Sequence, residues 1–331
     1  MELKTRNVNG AFSEIFWRLK SLKLTAEQTR NGPAIAFPEL VTTTYYCPHE
    51  RVLFHGGRDA NPIFHLMESI WMLAGRKDVE FLTQFNKRMV EFSDDGSTFN
   101  APYGYRWRHH FGHDQLEEII ELLRRDPNTR QAVLQIWDHQ DLTKSTKDKA
   151  CNTQVVFSIR DNYLNMTVFN RSNDIWWGAY GANAVHFSIL QEFIAASVNV
   201  NIGSYSQVSN NLHLYTEIYD AQKYIDSPPA QDGYDYYTFN QVEPLPLMLT
   251  SNYKSFLDEC EKFCDNPFDE HAKYINPFFK YVAHPMAMVS KVRKEKSSTG
   301  LYFADKIKAQ DWRIATTEWI NRREKAKQNK Q

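Results

Sequence analysis

The chain has 331 residues, 42% hydrophobic and 24% charged, with a formal net charge of −1. This is a globular balance, long enough for one large domain or two average ones. It offers no global field for nucleic acid, so a small anion must be held by local arginines. Four cysteines make no disulfide framework, and no apolar run approaches a membrane span. Met1–Arg6 lacks the apolar centre of a signal peptide. The expectation is a cytoplasmic protein with no membrane or nucleic-acid partner.

In chain order, residues 10–23 read as an amphipathic helix with Ala11, Ile15, Leu19 and Leu22 on one side. Arg30-Asn31-Gly32-Pro33 signals a turn, and the β-branched, aromatic run 41–46 a strand. Asn61-Pro62 opens a helix over 64–75 that stops at Gly75, and a second helix is expected from Asp78 to about Val90. Asp94–Ser97 reads as a loop. Asp114–Arg125 is a helix, with Leu116, Ile119, Ile120 and Leu123 on one face and Asp126-Pro127 as its stop. Strands are expected over 132–137, 154–160 and 164–170, the last two joined by an Asp161-Asn162 hairpin. A long buried helix follows over 184–198, then extended runs over 205–209 and 212–215. Residues 226–233 read as a loop and the remainder as charged helix, ending in a solvated tail. Cys260 and Cys264, four apart on a helix, lack the further ligands of a zinc site and read as half-buried thiols.

The chemistry concentrates between Cys151 and Tyr215. A cysteine attacks as the thiolate, so Cys151 as nucleophile calls for a lowered thiol pKa. Taken alone, a cysteine entering a strand is more often a small core residue. Arg171 ends a strand beside Ser172, a fork and a hydroxyl that suit phosphate; a surface salt bridge is the plain alternative. Asp174 and Asn183 also fit a loop and a helix cap. His213 and Tyr215 alternate on a strand and share one face, as a ribose hydroxyl site or a polar sheet edge would.

Several separated motifs over residues 10–220 together resemble the thymidylate synthase family, which includes the pyrimidine nucleotide hydroxymethylases. Glu68, in Leu66-Met67-Glu68-Ser69-Ile70-Trp71-Met72-Leu73-Ala74-Gly75, resembles the carboxylate that manages protons and water beside the base. Tyr103, in Ala101-Pro102-Tyr103-Gly104-Tyr105-Arg106-Trp107-Arg108, resembles the tyrosine on the water network. Arg30 resembles the mobile phosphate arginine. Asp126-Pro127-Asn128-Thr129-Arg130-Gln131 resembles the segment that sends arginine into the partner subunit. Cys151 would add to C6 of the pyrimidine. Asp174 resembles the carboxylate on the folate pterin, with Gly178 and Trp71 on the same cofactor side. Asn183 resembles the amide that reads uracil, and His213 and Tyr215 the pair on the deoxyribose hydroxyl. The implied fold is α+β, a mixed sheet covered by helices on one face and paired sheet-to-sheet in a homodimer. Residues 1–225 would form the catalytic core and 226–331 a divergent, mostly helical extension packed on it. The implied co-substrate is 5,10-methylenetetrahydrofolate, with no metal.

The departures from the pattern set the expected product. Asn152 stands where the family usually has histidine, and Gln131 where it has a second arginine. The turn before Asn183, Gly178-Ala179-Tyr180-Gly181-Ala182, is one residue longer than the family's. Val90 and Ser93 stand near two missing tryptophans, and the apolar closing segment has no counterpart in Gln328-Asn329-Lys330-Gln331. A wetter pocket favours hydroxymethyl over methyl, and Asn183 suits uracil while a carboxylate suits cytosine. The expected reaction is dUMP to 5-hydroxymethyl-dUMP, of the kind phages use for modified DNA precursors. The alternatives are thymidylate synthase itself, a dCMP or CMP hydroxymethylase, and an inactive relative that binds nucleotide or RNA. Retention of Cys151, Glu68 and Tyr103 argues against the last.

Overall fold

The computed structural model describes residues 1–217, 221–230, 235–295 and 299–328. The expected loop residues 231–233 and the tail residues 329–331 lie outside the described residues. In order the elements are β1 (Glu2–Thr5), α1 (Val8–Leu22), β2 (Glu27–Thr29), β3 (Gly32–Ala36), β4 (Val41–Tyr45), α2 (Pro62–Leu73), α3 (Val79–Thr83), α4 (Tyr103–Tyr105) and α5 (Gln115–Arg125). Then come β5 (Val133–Gln135), β6 (Asn152–Arg160), β7 (Tyr163–Asn170), β8 (Asn173–Asp174), α6 (Asn183–Val198), β9 (Asn201–Ser209), β10 (Leu212–Tyr215) and α7 (Ala221–Asp226). The chain continues through α8 (Tyr253–Asp265), α9 (His284–Lys294), α10 (Gly300–Asp305) and α11 (Gln310–Gln328).

Local chemistry sets many of these boundaries. The Asn61 side chain accepts from the Phe64 N–H to open α2, with Pro62 in the first turn, and Gly75 adopts φ +69° just past its end. Asp114 caps α5 by accepting from the Leu116 and Glu117 N–H groups. Asp161 and Asn162, both at positive φ, close the β6–β7 hairpin. The helix expected over 78–90 is interrupted: α3 ends at Thr83, and Asn86 caps a separate 3₁₀ turn, Lys87–Phe92, that buries no residue. Within that turn only Met89 packs, half-buried, against the core, too little to sustain a longer helix.

β1, β4, β9, β7, β6 and β5 form a six-stranded mixed sheet in that order. β7 and β9 are parallel neighbours, and α6 is the crossover between them, laid on one face. On that face Val41, Tyr45, Val155, Phe157, Met166, Val168 and Tyr205 are buried. Alternate residues on the other face, including Thr44, Val156, Thr167, Phe169 and Ser206, are only half-buried. The architecture is thus the expected α+β one, with helices on one face of a mixed sheet. A second sheet, ordered β2-β3-β10-β8, was not anticipated from the sequence; it turns the 212–215 run away from β9. One hydrophobic cluster runs from Leu3 to Ile320, so the later helices share the core of the first. Cys260 and Cys264 are fully buried rather than half-buried, on the α8 stripe with Phe256 and Phe263.

Candidate active site

The candidate residues gather where strands of the two sheets end. Cys151 is half-buried and immediately precedes β6. The β6–β7 register shifts between Asn152 and Gln154, a bulge that re-aims the chain beside the thiol. The Cys151 N–H donates to Tyr103 Oη at 3.2 Å. Arg171 Nη2 lies 3.8 Å from Cys151 Sγ, while its Nε donates to the Ala150 carbonyl at 2.8 Å. The guanidinium is therefore fixed over the approach to the sulfur.

The expected low thiol pKa is not what the resting site provides. Burial pushes the Cys151 thiol up; Arg171 and Arg30 pull it down, and Asp148 and Asp174 oppose them. Burial likewise holds the Tyr103 hydroxyl well above its ordinary pKa, so it stays protonated. Asp148 ties the two loops together: its Oδ2 accepts from the Ala101 N–H at 2.7 Å, two residues before Tyr103.

Glu68 lies on α2. A Cβ on Gly104 would meet the Met72 carbonyl oxygen at 1.9 Å, so the Tyr103 loop packs directly on that helix. His186, one turn after Asn183 on α6, brings Nε2 within 3.1 Å of Glu68 Oε2. Cys151, Tyr103, α2 and α6 are thereby linked in one arrangement.

Asp174 caps the irregular turn 175–182, its carboxylate accepting from the Trp176 and Trp177 N–H groups at 3.2 and 2.9 Å. The turn has π geometry: the Asn183 N–H reaches the Gly178 carbonyl, and Tyr180 and Gly181 leave helical φ/ψ. Such bulges insert one extra residue into a helical turn. Asn183 Nδ2 donates to Asn173 Oδ1 at 3.0 Å, and Asn173 Nδ2 donates to Gln207 Oε1 and Ser209 Oγ. Gly178 is required beneath this pair, since its Cβ would lie 2.8 Å from Asn173 Oδ1.

On β10, His213 is registered with Asp174 of β8, and its ring meets Tyr215 edge-on at 4.9 Å. His213 Nδ1 lies 2.9 Å from Asn211 Oδ1, and Asn31 Nδ2 donates to Tyr215 Oη at 3.3 Å. Arg30 is exposed on the β2–β3 turn next to Asn31, and Ser172 is half-buried beside Arg171.

Three residues are not brought into this arrangement. Arg130 is exposed before β5 and, among the described residues, makes no ion pair. Trp71 is 3% exposed, its ring edge-on to Phe99 in the core, so it backs the site rather than lining its surface. Asn152 is fully buried, its Nδ2 donating to Asn170 Oδ1, with Oδ1 unpartnered. Sequence reasoning missed three others: His186 against Glu68, the exposed ring of Trp177, and buried Arg58 behind the turn. The Trp176-Trp177 pair after Asp174 was the readable signal. Nothing local marks Arg58 or His186.

Among the described residues no group of three or more His, Cys, Asp or Glu could hold a metal ion, and no helix is long and apolar enough to cross a membrane. The profile of the family described as thymidylate synthase matches residues 60–234. A deoxyuridylate hydroxymethyltransferase of Pseudomonas phage M6 is 45% identical over 336 residues, covering 98% of this chain and 95% of that protein. One of Bacillus phage SP01 is 43% identical over 187 residues, covering 53% and 49% respectively. Among solved structures, the thymidylate synthase of T4 phage matches with a TM-score of 0.52 over 65% of this chain and 79% of that one. At 20% identity that likeness speaks to the fold.

Proposed function

The chain belongs to the thymidylate synthase family, and from that premise we propose that it converts dUMP to 5-hydroxymethyl-dUMP with methylenetetrahydrofolate as co-substrate. It is a one-carbon transferase acting at C5 of a pyrimidine nucleotide. The observation that carries the finer reading is the juxtaposition at Cys151: a half-buried thiol under a fixed Arg171 guanidinium, joined through Tyr103 and α2 to Glu68 and, by α6, to Asn183. The near full-length likeness to the phage M6 enzyme supports the same product.

In this reading the Cys151 thiolate bonds to C6 and the C5=C6 electron pair moves onto C5, delocalised into the adjacent C4 carbonyl. Covalent addition makes an unreactive carbon nucleophilic and divides a hard substitution into easier steps. C5 then bonds to the methylene carbon that the folate supplies and loses its proton, and tetrahydrofolate leaves with the electron pair of the broken C–N bond, giving an exocyclic methylene. Water oxygen then bonds to the exocyclic carbon, its proton passes to Glu68, and Cys151 leaves as C5=C6 re-forms. Oxidation states balance without a hydride.

Asn183 spends one N–H on Asn173. It keeps one N–H and its carbonyl oxygen, the donor–acceptor pair complementary to O4 and N3–H of uracil. Arg171, Ser172 and Arg30 hold the phosphate, and His213 with Tyr215 the deoxyribose hydroxyl. The Asp174 carboxylate and the ring of Trp177, which is 40% exposed, share one turn and fit a planar, N–H-bearing pterin beside Gly178. The half-buried sheet face is a candidate homodimer surface, through which Arg130 would serve the partner's phosphate site.

The test offers purified enzyme dUMP and dCMP in competition, with methylenetetrahydrofolate. The reading expects dUMP to be consumed, and dCMP after Asn183→Asp. Preferential use of dCMP by the unaltered enzyme would sink the base assignment.

A further inference from the structure

We infer that the segments after the last strand clamp the base-reading turn, and that Arg58 is the positioning residue through which they act. This rests on the nucleotide reading above and gives the late helices a part in substrate selection.

The turn 175–182 is the weak link between Asp174 and Asn183. Its closure is one residue wider than an α-turn, and two of its residues are non-helical. A turn that leaves helical geometry at two residues must have its shape fixed from outside. On the sheet side this is done by Tyr180 Oη with Thr43 Oγ1 at 2.9 Å, and by Gln207 Nε2 donating to the Ala179 carbonyl at 2.9 Å.

The opposite side is held by Arg58. Its side chain is buried, and Nε donates to the Trp176 carbonyl at 2.6 Å. Its guanidinium carbon stands 5.8 and 5.9 Å from the ring centroids of Trp176 and Trp177. A Cβ on Gly181 would lie 2.9 Å from Nη2, so the fork sits hard against the non-helical part of the turn. One side chain thus touches the start, the exposed aromatic and the end of the segment that spaces Asp174 from Asn183.

Two later segments converge on the short turn carrying Arg58. In α11, Arg322 Nε lies 3.2 Å and Arg323 Nη2 2.5 Å from the carboxylate of Asp59, which is held at φ +50°. In α7, the Tyr224 ring packs 4.8 Å from Trp176, and its hydroxyl would be 2.2 Å from a Cβ on Gly57. Lys20 and Trp17 of α1 hold the α7 segment by donating to the Asp226 and Pro229 carbonyls. The Asp59 pairs are partly exposed and individually weak; the buried Arg58 contacts carry the larger effect.

The experiment uses the full chain with Arg58→Ala, Arg58→Lys and the double variant Arg322→Ala/Arg323→Ala. Cys264→Ala, in the buried core of α8, controls for stability loss alone. Equilibrium binding of dUMP and dCMP, kcat and KM for dUMP, and Tm are measured on each. Misplacing Asn183 should cut the preference for dUMP over dCMP roughly 10- to 100-fold in Arg58→Ala, with partial recovery in Arg58→Lys. The double arginine variant should shift it a few-fold in the same direction, and Cys264→Ala should lower Tm without moving it. If Arg58→Ala does not fold, Arg58→Lys and the double variant carry the test. Unchanged preference in Arg58→Lys and the double variant, with Tm lowered as in the control, would overturn the clamp. Unaltered protein that bound neither nucleotide would overturn the nucleotide reading itself, and the clamp with it.

Discussion

Gly104→Ala is the sharpest small perturbation of the proposed site. The new Cβ would lie 1.9 Å from the Met72 carbonyl oxygen and 2.4 Å from Met72 C and Cα, all backbone atoms. Since Cβ contacts do not fall below 3.0 Å, loop and helix must part by at least about 1.1 Å, the difference between 3.0 and 1.9 Å. α2 is buried along nearly its whole length and cannot yield, so the Tyr103 loop moves. Tyr103 Oη accepts the Cys151 N–H, and the displacement is transmitted to the nucleophile. Overpacking of this kind costs about 1–3 kcal/mol of stability. A misplacement of about 1 Å at a reacting group costs roughly 100-fold in rate. The assay pairs kcat for nucleotide conversion with Tm on the same preparation. A variant with lowered Tm but kcat within about threefold of the parent would refute the claim that α2 positions Tyr103 for catalysis.

Three further outcomes follow from the same geometry. Arg171→Ala removes a cation that pulls the Cys151 thiol down, so the pH midpoint of its alkylation by iodoacetamide should rise; an unchanged midpoint would count against the contact. Cys151→Ala and Arg130→Ala should each be weak alone. Mixed and allowed to exchange subunits, they should recover roughly a quarter of parental activity, since half the dimers are mixed and each has one complete site; no recovery would place Arg130 outside the partner's site. Burial pushes Asp311 up to about 6 from 3.8, so its contribution to stability is present below about pH 4 and lost as pH rises through 6. Relative to Asp311→Asn, the parent should lose about 3 kcal/mol across that window in urea unfolding, and parallel pH profiles would contradict this.

Local patterns were legible where local physics decides. The Asn61-Pro62 start, the Gly75 stop, the α5 stripe and the Asp161-Asn162 hairpin each announced themselves and appear as read. β1 and β3 did not, because partners distant in sequence fix them: β1 pairs with β4, and β3 with β10; β2 pairs locally with β3 but is exposed along its length and shows no apolar alternation. The interrupted 78–90 segment failed for a tertiary reason, since its second half fully buries no residue and meets the core only through half-buried Phe85 and Met89. Motif and spacing nominated the residue types of the proposed site. Their electrostatics were not legible. Whether Cys151 is raised or lowered depends on burial and on which of Arg171, Arg30, Asp148 and Asp174 come close. Arg58 and His186 owe their places to contacts across the fold that no local pattern displays.

The central claim is that water, not hydride, completes the reaction. The most direct measurement is mass analysis of the nucleotide product from dUMP and methylenetetrahydrofolate, with absorbance followed for dihydrofolate. The account predicts 5-hydroxymethyl-dUMP and no dihydrofolate. Thymidylate formed with stoichiometric dihydrofolate would contradict it.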